Sequence, residues 1–282
     1  MKYLIALLIV LGVILGVAAI LVLFCVMIPA FFGLFVNPNK LYDKDSKFYR
    51  ALYNVQVRIA LFCSRVRIKY EGDDKIPEGR FLLICNHRSN FDPIVTAAAM
   101  RKYNLAFISK EENLKLPIFG RIIRRICYMP LVKNDARQAI VIINHAAKLI
   151  KDDECSVMVY PEGKRSFSNE LLPFHGGVLK IAQKANVPIV VAVIEGTELV
   201  RDRFPKKTKV SLRIIDVVSA EEAKSKRSVD LGIELHDEML AVLGKEILYV
   251  MLKPPAKCRR RMQQDIDDIQ EAVTGWSWLL FC

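Results

Sequence analysis

A chain of 282 residues is long enough for a sizeable core, arranged as one large domain or two small ones. Its 42 Lys+Arg against 30 Asp+Glu give a formal charge of +12, which favours an anionic partner, either nucleic acid or an acidic membrane surface. Seven cysteines, at positions 25, 63, 85, 127, 155, 258 and 282, contain no CxxC pair, a pattern of reduced thiols that excludes a disulfide framework and a structural zinc site.

Residues 3–36 carry no charge, and the run exceeds the roughly 20 residues that cross a bilayer as a helix. It is also longer than the apolar core of a signal peptide and lacks a small-residue cleavage site. A retained membrane helix over about residues 4–27 is expected, with Pro29 and Gly33 breaking off a shorter interfacial piece. Thus 1–36 is the membrane-embedded segment, and the choice of partner falls on a lipid bilayer rather than nucleic acid. Lys40, Lys44, Lys47 and Arg50 follow the run while only Lys2 precedes it, which places the globular part on the cytoplasmic side.

Phe48, Leu52, Val55, Ile59 and Phe62 recur at steps of three and four, so 46–64 is predicted to be an amphipathic helix within a juxtamembrane segment, 37–64. Packing on the domain and lying on the membrane surface are both compatible with that pattern. From residue 65, short β-branched or apolar runs alternate with helical patterns: 66–70, 81–85, 105–109, 155–160, 188–194 and 209–218. A helical stripe of Ala136, Ile140, Ile143, Ala147 and Ile150 lies among them. This alternation predicts one α/β domain, 65–250, around a single largely parallel sheet flanked by helices. The tail, 251–282, begins near Pro254-Pro255 and carries Arg259, Arg260 and Arg261, an acidic stretch at 265–271 and a closing WSWLLF. That composition suits either contact with the domain or an interfacial position.

Two polar loops follow apolar strands. The first, CNHRSNFDP at 85–93, holds His87 and Asp92 at a spacing that lets the carboxylate reach one imidazole nitrogen. Asp92-Pro93 equally suits a helix start, with Asp92 as cap and Pro93 in the first turn. The segment alone leaves both readings open. The second loop, YPEGKRS at 160–166, offers Gly163 for a tight turn that exposes backbone amides, with Lys164 and Arg165 as phosphate donors. Lys133, after the apolar stretch 126–132, is a third basic element. Together these bring an imidazole base and a cationic cradle to one sheet edge.

The ordered blocks NHRSNFD, YPEGKRS and VPIVVAV, within about residues 65–215, resemble the 1-acylglycerol-3-phosphate acyltransferase type of glycerolipid acyltransferase. The resemblance implies a membrane-bound enzyme that moves a fatty acyl group from acyl-CoA or acyl carrier protein to the sn-2 hydroxyl of 1-acylglycerol 3-phosphate. His87 is then the general base and Asp92 its orienting partner. Glu162, Gly163, Lys164 and Arg165, with Lys133, shape the acceptor site, and Pro188 lines or supports the acyl pocket. No cofactor and no metal are implied.

Lys133 stands where the family commonly has Arg, Lys164 where it has Thr, and Ala192 where it often has Pro, so the acceptor headgroup and the acyl pocket are the least secured features. Glycerol 3-phosphate or another lysolipid is the nearest alternative acceptor. A Cys85/His87 hydrolase and a non-catalytic membrane-surface adaptor are the other classes. His175, in a loop before a helix, is read as a surface residue within reach of the headgroup, His145 as structural, and His236 as lying on a polar helix.

Overall fold

The computed structural model describes residues 2–131, 135–166 and 170–252. Its helices are α1 (Lys2–Gly33), α2 (Lys47–Cys63), α3 (Asp92–Ala99), α4 (Glu111–Leu114), α5 (Phe119–Arg125), α6 (Ala136–Lys151), α7 (Lys180–Ala185), α8 (Leu199–Arg203), α9 (Ala220–Ser225) and α10 (Ser228–Leu252). The strands are β1 (Val66–Glu71), β2 (Leu82–Cys85), β3 (Ala106–Lys110), β4 (Met129–Leu131), β5 (Val157–Val159), β6 (Ile189–Glu195) and β7 (Thr208–Val218).

They form one sheet in the order β1-β7-β6-β2-β5-β3-β4. Every neighbouring pair is parallel except β6 with β7, so β1 and β7 run against the other five. The crossover through α3 moves from β2 towards β3, whereas those through α6 and α7 move the opposite way along the sheet. Right-handed connections therefore put α3 on one face and α6 and α7 on the other. Alternation along the strands fits both faces: Leu83, Cys85, Met158, Val190 and Ala192 share a core with Tyr53, Val57, Val95, Ile122 and Ile123. Leu82, Ile84, Val157, Val159 and Val191, pointing the other way, are equally buried. A sheet covered on both sides explains why the central strands read as continuous apolar runs.

Strand β4 was not among the expected strands. Its three residues, at the sheet edge, are too few to display a strand period.

Helix α1 differs from expectation as well, since it runs unbroken through Pro29 to Gly33. Its last turn is held from outside: the Tyr49 hydroxyl donates to the Phe32 carbonyl at 3.0 Å and the Arg121 guanidinium to the Gly33 carbonyl at 3.2 Å. These side-chain donors add to the backbone N–H groups of Phe35 and Val36 on the same carbonyls, fixing the C-terminal end of the helix. Within α1, Lys2–Ile20 is long and apolar enough to cross a membrane by length and composition.

Helix α2 packs on the domain through Arg50, Tyr53 and Val57. Arg50 donates to the Leu105 and Ile126 carbonyls at 2.6 and 3.3 Å and pairs with Asp45 at 2.9 Å, which ties the juxtamembrane segment to the core. The other side of α2 exposes Phe48, Val55 and Phe62.

The described residues divide into two units, 2–236 and 237–252, the second helical. The tail features Arg259, Arg260, Arg261, 265–271 and WSWLLF lie outside the described residues.

Candidate active site

Strands β5, β2 and β6 are neighbours, and the loops leaving their carboxyl ends carry Tyr160–Ser166, Asn86–Asp92 and Gly196–Glu198. That edge is where open α/β sheets place reacting groups. The loop after β2 is fixed first by Asn86, which is buried. Its amide donates to the Ile194 carbonyl at 3.0 Å and its Oδ1 accepts the Ile194 N–H at 2.8 Å, continuing by side chain the ladder that ends at Cys85.

Two residues on, His87 Nδ1 lies 2.7 Å from Asp92 Oδ2. Asp92 is fully buried while the His87 side chain keeps 18% exposure, so the pair is anchored inside and open at the imidazole. Asp92 Oδ2 also accepts the Arg88 and Ser89 N–H groups at 2.6 and 2.7 Å, and Oδ1 accepts the Thr197 hydroxyl. The expected role of Asp92 as side-chain cap of α3 is therefore corrected. It does occupy the first turn with Pro93, but its carboxylate turns back to the loop amides and His87 instead of capping.

With Nδ1 donating to the carboxylate, Nε2 is the basic nitrogen left for a ligand. The ring is further held by stacking on Tyr160, with centroids 4.1 Å apart and planes at 15°.

The second loop closes on the first. The Glu162 carboxylate accepts the His87 N–H at 2.6 Å and the Leu172 N–H at 3.0 Å, while the Ser166 N–H donates to the His87 carbonyl at 2.9 Å. Gly163 sits at φ +66, where a side chain is strained, and a Cβ there would stand 3.1 Å from the His175 ring. Arg165 donates to the Asn90 side chain, so its guanidinium lies over the His87 loop, and Lys164 beside it is exposed.

Residues 67–195 match the family model described as Acyltransferase. Over those residues the chain is similar to that family. It is 26% identical over 187 residues to a 1-acyl-sn-glycerol-3-phosphate acyltransferase of Saccharomyces cerevisiae, covering 64% of this chain and 61% of that one. It is 32% identical over 132 residues to an enzyme of the same name from Cocos nucifera, covering 47% and 42%. The matches thus span about half the length of these curated relatives. In fold it resembles the crystal structure of the 1-acyl-sn-glycerophosphate acyltransferase from Thermotoga maritima, with a TM-score of 0.60 at 22% identity, covering 81% of this chain and 92% of that one.

One assignment implied by the family resemblance is revised by the geometry. Glu162 was expected to contact the acceptor, but it is 3% exposed and both its oxygens are engaged by backbone donors; it positions the His87 loop. The Gly163 N–H donates to the Tyr160 carbonyl within the expected tight turn. Pro188, implied by the resemblance to line or support the acyl pocket, accepts the Leu82 N–H through its carbonyl at the start of β2. Five residues of extended chain separate that point from His87, about 17 Å at about 3.3 Å per residue. Lys133 lies outside the described residues.

Cys85 is fully buried on β2, and burial holds its thiol well above the ordinary range, which removes it as a nucleophile at neutral pH. His175 covers Gly163, His145 lies 3.6 Å from Asp43, and His236 meets Phe174 edge-on.

Burial pushes the Glu162 carboxyl up to about 6, against the lowering effect of its two backbone donors. Because the folded value is above the ordinary 4.5, the charged form is the one that folding disfavours. This destabilisation is absent below about pH 4.5 and fully present above about pH 6. Glu162→Gln removes that dependence, so wild type should lose stability relative to the variant as pH rises through this window in denaturant titrations. The variant also turns an amide N–H₂ towards one of the two backbone donors, a loss of about 1.5–3 kcal/mol. Turnover should fall alike on acceptors with and without phosphate; a loss confined to phosphate-bearing acceptors would return Glu162 to the headgroup.

Proposed function

We propose that this chain is a membrane-attached O-acyltransferase that forms phosphatidic acid by acylating the sn-2 hydroxyl of 1-acylglycerol 3-phosphate. Acyl-CoA or acyl carrier protein serves as thioester donor. The carrying observation is the imidazole of His87, held on Nδ1 by a buried carboxylate and open at Nε2, beside the cationic loop of Lys164 and Arg165. The names of the curated relatives support the same acceptor.

In this reading Nε2 takes the proton of the acceptor hydroxyl as its oxygen attacks the thioester carbonyl. The tetrahedral intermediate collapses with cleavage of the C–S bond, and the imidazolium returns the proton to the leaving thiolate. The ester forms directly, without an acyl-enzyme, and neither a metal nor a cofactor takes part. Asp92 stabilises the transient imidazolium, and the Tyr160 face adds cation–π attraction.

The apolar helix α1 places this chemistry where a lysolipid is concentrated, in the leaflet, and the basic residues after it favour the cytoplasmic side.

The test is the full chain in detergent or vesicles with labelled acyl-CoA and four acceptors: 1-acylglycerol 3-phosphate, glycerol 3-phosphate, lysophosphatidylcholine and 1-acylglycerol. Turnover should be highest on the first. Equal rates on the phosphate-free acceptor would overturn phosphate recognition, and no turnover on any acceptor would overturn the enzymatic reading. Arg165→Ala should raise KM for 1-acylglycerol 3-phosphate about tenfold, the loss of one charge-assisted contact, and leave KM for 1-acylglycerol unchanged.

A further inference from the structure

We propose that Thr197 is a positioning residue for the His87–Asp92 pair, acting through the carboxylate oxygen that the histidine does not use. The inference rests on the acyl-transfer reading above. Three donors converge on Asp92 Oδ2: His87 Nδ1 and the N–H groups of Arg88 and Ser89. Among the described residues Oδ1 is met by the Thr197 hydroxyl, and both side chains are fully buried. Without that hydroxyl, Oδ1 is a buried charged acceptor with no hydrogen-bond donor among the described residues. The carboxylate can relieve this only by rotating towards other donors, which takes Oδ2 out of line with the imidazole.

The segment carrying Thr197 is built to hold it there. Gly196 reverses the chain at φ +81, and a Cβ at that position would approach the Lys209 carbonyl to 2.8 Å. Asn86 grips Ile194 on one side of the turn, and on the other Arg88, itself buried, lies 3.7 Å from Glu198. Residues 194–198 thus meet the loop at 86–92 at three points, with the Asp92 contact between the other two. The arrangement fixes the orientation of Asp92, and so that of the His87 ring, independently of substrate.

The experiment compares Thr197→Val, which keeps shape and removes the hydroxyl, with Thr197→Ser, which keeps the hydroxyl. Steady-state kinetics and pH–rate profiles are measured on the full chain, beside His87→Ala. Thr197→Val should lose about tenfold in kcat, the effect of one misplaced hydrogen bond, with KM for both substrates within about twofold of wild type. Its pH–rate profile should be displaced, whereas Thr197→Ser should stay within about threefold of wild type with an unmoved profile. Thr197→Ala supplies the same comparison if the valine variant does not fold.

A hydroxyl-free variant with wild-type kcat and profile, or a serine variant as impaired as valine, overturns this inference, as does a loss confined to KM. Turnover that survives His87→Ala overturns the acyl-transfer mechanism itself, so the two failures are told apart.

Discussion

His87→Ala is expected to reduce turnover on every acceptor by about 10²–10⁴-fold, the usual contribution of a positioned general base, and to leave the fold in place. The structural half of this expectation follows from which atoms of His87 do the holding. Its N–H donates to Glu162 and its carbonyl accepts from Ser166, bonds that alanine retains. What is lost is the stack on Tyr160 and one of three donors to Asp92 Oδ2; the Arg88 and Ser89 amides remain. The variant should therefore melt close to wild type and bind acceptor with an unchanged KM, since the proposed phosphate contacts belong to the other loop. Near-wild-type turnover in a folded variant would sink the base assignment. A raised KM at constant kcat would instead assign His87 to binding.

The part of this site that was legible in the sequence is the part carried by contiguous residues. His87 and Asp92 lie in one loop, so their spacing is a local fact, and the imidazole–carboxylate contact could be expected from CNHRSNFDP. The strands were legible for a similar reason: a sheet buried on both faces writes continuous apolar runs, as at 81–85 and 188–194. Thr197 was not legible, because nothing near it in sequence says that β6 will lie beside β2 and bring their two loops together. Asn86 stands next to His87, yet its partner Ile194 is 108 residues away, so the role of its amide depends on the same crossover.

Glu162 illustrates a different failure. Between a glycine and basic residues, after a strand, a carboxylate reads as an exposed site group. Only the approach of the His87 loop and the return of residues 170–175, each supplying one amide, make it a buried acceptor. Pro188 precedes the N-terminus of β6, the end of that strand away from the His87 loop.

The sharpest separation of charge from architecture should come from Asp92. Asp92→Ala leaves two loop amides, the Thr197 hydroxyl and His87 Nδ1 without their acceptor in a fully buried position, at about 1–3 kcal/mol for each unpaired group before relaxation. The expected result is a loss of about 3–5 kcal/mol in stability, read in denaturant titrations, together with near-complete loss of turnover. Asp92→Asn differs because the site contains one partner that can reverse its role. If the asparagine carbonyl takes the Oδ2 position, it still accepts from Arg88, Ser89 and His87, and its N–H₂ then faces Thr197, whose hydroxyl can rotate to accept. Geometry and folding survive, while the negative charge that stabilises the imidazolium is gone. Asp92→Asn should accordingly unfold close to wild type but turn over about 10²–10³-fold more slowly, with the acceptor KM unchanged. Wild-type kcat in Asp92→Asn would mean that orientation alone is what the carboxylate supplies. Combining Asp92→Asn with Thr197→Val removes the reversible partner and should cost about 1–3 kcal/mol relative to Asp92→Asn alone, less than the alanine loss, because only the amide N–H₂ then has nothing to donate to.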